Sequence, residues 1–138
     1  MTPPRLLPVA LALAAACCSA PAVIPAEARP LAPQPANSTL VLTVSEGDTV
    51  SSTPEDRTTL DCSASPSGTH PAPDAACTAL AAAGGDPDRL RGAVGTLCTA
   101  LYSPVAATAE GVWEGSPVKW SRTFGNRCQL RAATSPVF

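Results

Sequence analysis

Four cysteines and one apolar segment beside the third of them carry most of the chemistry this sequence can offer. Cys62, Cys77, Cys98 and Cys128 are spread through the body of the chain, whereas Cys17 and Cys18 fall in an apolar leader. No Cys-x-x-Cys and no histidine pair occurs in the body of the chain, so no metal-ligand set is assembled from it. An even number of cysteines in an exported chain reads as a disulfide framework. Four cysteines allow three connectivities. Pairing Cys62 with Cys77 and Cys98 with Cys128 closes the shorter loops and is favoured on loop entropy. In the loop-entropy picture each bridge stabilises the fold by roughly 3–4 kcal/mol.

Catalysis has few candidates. His70 is the only histidine. A Ser–His–Asp or Cys–His arrangement around it is possible on paper, but the cysteines are better used in disulfides and no Gly-x-Ser-x-Gly elbow exists. Between Thr69 and Pro71, His70 reads as a turn residue bonded to nearby backbone. Glu46, Asp48, Glu55, Asp56, Asp86 and Asp88 scatter over turn segments and read as solvated surface, not as an acid–base pair. No glycine-rich phosphate loop is present. The net charge of −2 and the lack of a basic stripe or aromatic platform argue against nucleic acid as a partner. No cofactor is expected.

The segment Leu97-Cys98-Thr99-Ala100-Leu101-Tyr102 stands out as apolar and pinned at a cysteine. Two readings stand level on pattern alone. One is a buried strand. The other is an exposed strand offered to a protease, which binds its substrate extended, through backbone pairing and side-chain pockets. A loop already held in that shape loses little entropy on binding. A disulfide next to the target bond would also hold the two ends together after cleavage, so that the bond can re-form.

The elements that must position this segment follow from pattern. Thr39 to Ser45 is the clearest strand, and Arg57 to Ser63 a second, with Leu60 and Cys62 on one face. Ser65 to Pro73 is a Pro-rich loop. Asp74 stands as a cap before a helix over Ala75 to Ala83, which Gly84-Gly85 ends. Asp86 to Gly95 is polar loop with room for one short turn. Val105 to Trp113 and Pro117 to Phe124 form a hairpin around Glu114-Gly115-Ser116, with Val118, Trp120 and Phe124 on one face and Arg122 the exception. Trp113 and Trp120 read as core or subunit packing. Asn126 to Ala132 fits a short helix or a loop, and Ser135 to Phe138 a return to the sheet edge. The inventory is α+β, an antiparallel sheet with a helix packed on one face.

Residues 1–28 read as a secretory signal peptide. Arg5 precedes an apolar run from Leu6 to Ala16 that is too short to span a bilayer, and small-x-small sites follow at Ala20-Pro21-Ala22 and Ala26-Glu27-Ala28. A lipoprotein signal on Cys17 fits less well, because Ala14 occupies the place of the branched apolar residue such signals use. Residues 29–38 form a Pro-rich arm, and 39–138 a single domain. The expected location is extracellular, with no membrane partner.

These residues resemble a known family. The run Cys62 … Pro66-Ser67-Gly68-Thr69-His70-Pro71-Ala72-Pro73 … Ala76-Cys77-Thr78-Ala79-Leu80 is similar to the signature of the Streptomyces subtilisin inhibitors. So are Leu97 to Val105, Gly111-Val112-Trp113, Phe124 to Cys128 and Val137-Phe138. The resemblance implies a sheet of five antiparallel strands with two helices, the Cys62–Cys77 and Cys98–Cys128 disulfides, and a homodimer formed through the sheets. It implies inhibition of subtilisin-like serine proteases through a substrate-like loop. Ala100 then takes the P1 place and Leu101 the P1′ place. Leu97, Cys98 and Thr99 precede as P4, P3 and P2, and Tyr102 follows as P2′. Asn126 would support the loop from below. Thr99 and Ala64 stand where the family often has proline. The competing reading is a non-inhibitory secreted module on the same fold.

Overall fold

The computed structural model describes residues 37–51 and 53–138. The signal peptide expected over residues 1–28 and residues 29–36 of the expected arm lie outside the described residues. Asn37 and Ser38, which the sequence places in the arm, are already fastened to the sheet. Ser38 O accepts from Cys62 N–H, Ser38 Oγ from Glu114 N–H, and Asn37 O from Gly115 N–H.

Among the described residues five strands form one antiparallel sheet: β1 (Thr39–Glu46), β2 (Asp56–Asp61), β3 (Ser67–Gly68), β4 (Val105–Trp113) and β5 (Ser116–Phe124), in the order β3-β2-β1-β4-β5. Two helices, α1 (Pro73–Ala82) and α2 (Arg127–Thr134), complete the fold with a 3-10 turn at Pro87–Arg89. The α+β architecture expected from the sequence is therefore the one observed, with both disulfides in the favoured pairing.

Strand alternation sets the core. Leu40, Leu42 and Val44 of β1 pair in register with Leu60 of β2 and with Ala107 and Ala109 of β4, so these side chains share one face. Both helices pack there. Ala76, Cys77 and Leu80 of α1 join Leu40, Leu42, Leu60, Trp113 and Val137 in one cluster. Leu130 of α2 joins Val44, Val105, Ala107 and Phe124 in a second. Pro73 opens α1 with its φ pre-set, and the cap position falls on Ala72, not Asp74. Asp74 instead places its carboxylate in the first turn, where the helix dipole favours it. The expected stop is observed: Gly85 N–H closes back on Leu80 O at 2.8 Å. A Cβ on Gly85, whose φ is +78°, would sit 2.3 Å from the Trp113 ring, so the same glycine lets the tryptophan seal the core.

Four further elements differ from expectation. Within the stretch read as the Ser65–Pro73 loop, Ser67 and Gly68 form β3 by pairing with Asp61 and Leu60. β2 ends at Asp61, before Cys62, because Asp61 Oδ1 accepts Ser63 N–H and turns the chain. The hairpin loop is the two residues Glu114 and Gly115, both at positive φ, which suits the twist of β4 and β5 and brings Ser116 into the strand. The C-terminal residues form no strand. Val137 is buried in the core, and Phe138 lies against Trp120 with ring centroids 5.7 Å apart.

Candidate functional site: the loop on helix α2

The segment from Leu90 to Pro104 crosses from α1 to β4 without regular structure. It is not the buried strand that its apolarity allowed. Leu97 is 96% exposed, and Leu101 and Tyr102 are each 71% exposed, with Thr99 and Ala100 exposed between them. Exposing this much apolar side chain leaves affinity for another surface as the physical use of the segment.

Helix α2 acts as a splint along which this loop is fastened. Ala93 N–H bonds Ala132 O near the helix C-terminus at 3.0 Å. Cys98 is bridged to Cys128 with Cα atoms 5.7 Å apart. Asn126 Nδ2 donates to Thr99 O at 3.2 Å and to Leu101 O at 2.9 Å. Ser103 N–H bonds Gly125 O at 2.9 Å. The loop thus runs antiparallel to the helix and is tied at each stage. Gly92 makes the first tie possible, since its φ is +59° and a Cβ there would lie 2.0 Å from Ala132 O.

Asn126 is buried, and every polar group of its side chain is occupied. Its Oδ1 accepts Gln129 N–H and caps α2, while its Nδ2 clasps the two carbonyls on either side of Ala100. Gln129 Oε1 accepts Gly125 N–H in return. This is a variant of the capping box with Asn and Gln, its return bond going to the residue before the cap, and the Asn-x-x-Gln spacing is the signal by which α2 could have been read as a helix from sequence.

A second feature lies next to it, and the sequence offered no sign of it. Arg127 Nε donates to Glu46 Oε1 at 2.9 Å and Nη1 to Asp56 Oδ2 at 2.9 Å, while Nη2 bonds Glu55 Oε2. Three of the carboxylates read as scattered surface are therefore gathered on one guanidinium. Hydrogen bonding to Asp56 raises the Arg127 pKa most, partial burial opposes it, and Glu46 and Glu55 raise it further. The charge on Arg127 is permanent.

His70 is buried and lines the same cavity as Asp56, Arg127 and Leu130. Its Nδ1 accepts Ala72 N–H and its Nε2 faces Val137 O, each at 3.1 Å. The first bond fixes Nδ1 as acceptor, so Nε2 carries the proton and donates it. Both nitrogens are spent on backbone, and the ring ties the loop before α1 to the C-terminal residues. This is the structural role the sequence favoured over a catalytic one.

Against this geometry stand the likenesses to other proteins. The sequence matches the subtilisin inhibitor-like family over residues 36–126. It is 50% identical over 100 residues to subtilisin inhibitor-like protein 5 of Streptomyces fradiae, a stretch that covers 72% of this chain and 94% of that one. It is 44% identical over 104 residues to the trypsin inhibitor STI2 of Streptomyces longisporus, covering 75% and 72%. Streptomyces caespitosus sermetstatin, solved in complex with Bacillus licheniformis subtilisin, superposes with a TM-score of 0.58 at 38% identity, over 70% of this chain and 91% of that one.

Proposed function

This chain belongs to the subtilisin inhibitor-like family, and we propose from that premise that it inhibits subtilisin-like serine proteases with Leu97 to Tyr102 as the bound segment and Ala100–Leu101 as the scissile bond. The carrying observation is the clasp of Asn126 on Thr99 O and Leu101 O. It holds the exposed bond from beneath while the Cys98–Cys128 bridge ties the preceding residues to the same helix.

The mechanism needs no chemistry from the inhibitor itself. The protease pairs with the extended backbone and fills its pockets from Leu97, Ala100 and Tyr102. Because the loop is fastened beforehand, little conformational entropy is lost on binding. When the protease serine attacks the Ala100 carbonyl, the bond to the Leu101 nitrogen breaks and an acyl-enzyme forms. The Leu101 amine stays in place, because Asn126 grips Leu101 O and Gly125 O holds Ser103 N–H. The amine then re-forms the bond faster than water can enter. Ala100 offers one methyl, worth about 1 kcal/mol when buried, so the S1 pocket contributes little and the backbone contributes most. A small or broad S1 pocket suits it, whereas the acidic pocket of trypsin does not. The structural neighbour bound to subtilisin supports this target class.

Export and dimerisation belong to the same reading. The N-terminal leader supports secretion, and no helix among the described residues is long and apolar enough to cross a membrane. The sheet face opposite the helices carries small side chains at its centre, Thr43, Ala106 and Thr108, with Thr43 and Thr108 bonded Oγ1 to Oγ1 at 2.6 Å. All three are already buried within the protomer, so the homodimer is carried over from the family resemblance. Sedimentation equilibrium of the mature chain tests the dimer.

The deciding experiment is a titration of subtilisin with the oxidised mature chain. One-to-one loss of activity per loop, with the Ala100–Leu101 bond largely intact, is the expected result. Rapid digestion of the 97–102 segment without inhibition would establish a non-inhibitory module instead.

A further inference from the structure

We propose that Arg127 is a positioning residue for the inhibitory loop, acting by locking the first turn of α2 to the β1–β2 connection. The proposal rests on the inhibitory reading of that loop. In sequence Arg127 stands between Asn126, which clasps Thr99 O and Leu101 O, and Cys128, which anchors Cys98. Whatever fixes Arg127 therefore fixes both.

Its guanidinium is fixed thoroughly. Nε, Nη1 and Nη2 all engage carboxylates, from Glu46 at the end of β1, Glu55 in the connection and Asp56 at the start of β2. The same connection also holds the exit of the loop, because Gly47 N–H bonds Pro104 O at 2.8 Å. The clamp beneath the loop and the exit of the loop thus hang from one piece of backbone, and Arg127 joins the two.

The needs of the helix do not explain this arginine. A cation at the first helical position opposes the helix dipole. Three carboxylates brought to that end reverse the local sign, and the arginine is what brings them. Exposed ion pairs are individually weak. A planar donor fork that spans three carboxylates from two strands and their connection differs from such pairs, because it restrains geometry. Removing it loses the attraction and also leaves Glu46, Glu55 and Asp56 as like charges crowded at the foot of the loop.

The test uses the full mature chain with Arg127→Gln. Subtilisin should cut Ala100–Leu101 about tenfold faster than in the wild type, and the inhibition constant should rise by a similar factor, equivalent to roughly 1.4 kcal/mol. Sodium chloride at about 1 M, where the Debye length is about 3 Å, should restore much of the loss by screening the carboxylates. A residue that acted only by packing would show no such recovery. Independently of any protease, the amides of Ser103 and Gln129 should exchange with solvent about tenfold faster, with β1 and β4 amides unchanged. If Arg127→Gln fails to fold, Glu46→Gln with Glu55→Gln and Asp56→Asn breaks the same contacts from the other side. That variant should show the faster exchange without the salt recovery. Wild-type exchange at Ser103 and Gln129 in a folded variant overturns the role given to Arg127. Absence of inhibition by the wild-type chain, with that exchange difference present, overturns the inhibitory reading instead.

Discussion

Replacing Asn126 by aspartate separates two jobs that one side chain performs. Asn126 Oδ1 caps α2 by accepting Gln129 N–H, and Nδ2 clasps Thr99 O and Leu101 O. Aspartate is as good a cap as asparagine, and its charge suits the helix N-terminus. It has no donor for the two carbonyls, however, and it turns a carboxylate oxygen toward them. Each lost hydrogen bond has a net worth of about 0.5–1.5 kcal/mol, so the clasp loses about 1–3 kcal/mol, a factor of roughly 5 to 150. That factor should appear in the inhibition constant against subtilisin and in the rate at which Ala100–Leu101 is cut, followed by mass spectrometry of the acid-quenched mixture. The two bonds belong to the folded domain, so the melting temperature should fall as well, by about 4–8 °C for each kcal/mol lost. Asn126→Ala removes the cap as well, at about 1 kcal/mol, and should lower the melting temperature by a further 4–8 °C or so. If Asn126→Asp resists subtilisin as the wild type does, the clasp does not hold the loop, and the mechanism argued from it is wrong.

Other perturbations reach different parts of the structure. Ala100→Lys should gain inhibition of trypsin, because a cationic P1 side chain pairs with the acid at the base of the trypsin pocket; an unchanged profile in a trypsin titration would remove Ala100 from P1. Replacing both Cys98 and Cys128 by serine opens a loop of sequence separation 30, worth roughly 3.5 kcal/mol in the chain-entropy picture. Urea unfolding should register that loss, and the variant should become a substrate of subtilisin. His70→Leu strands Val137 O in a buried site and Ala72 N–H in a part-buried one. It should destabilise the domain by about 2–3 kcal/mol while leaving the inhibition constant near wild type at a temperature where the variant stays folded.

Much of this molecule was legible in its sequence, and the legible parts share a physical origin. The strand over Thr39 to Ser45, the β4–β5 hairpin and the disulfide pairing all depend on short-range quantities: side-chain alternation, turn residues and loop length. The family motif around Cys98 to Tyr102 supplied the register proposed for the loop, with Ala100 at P1. What sequence could not decide was where that apolar stretch goes, since a buried strand and an exposed loop share one pattern. Burial depends on which elements pack above a segment, and here both helices cover the face of Leu40, Leu42 and Leu60 while Leu97 to Tyr102 lies outside it. The carboxylates show the same division. Glu46, Glu55 and Asp56 lie about 70 to 80 residues from Arg127 along the chain and meet it only after β1, β2 and α2 have docked. No local spacing records that meeting, because it is made by the packing of the helix against the sheet.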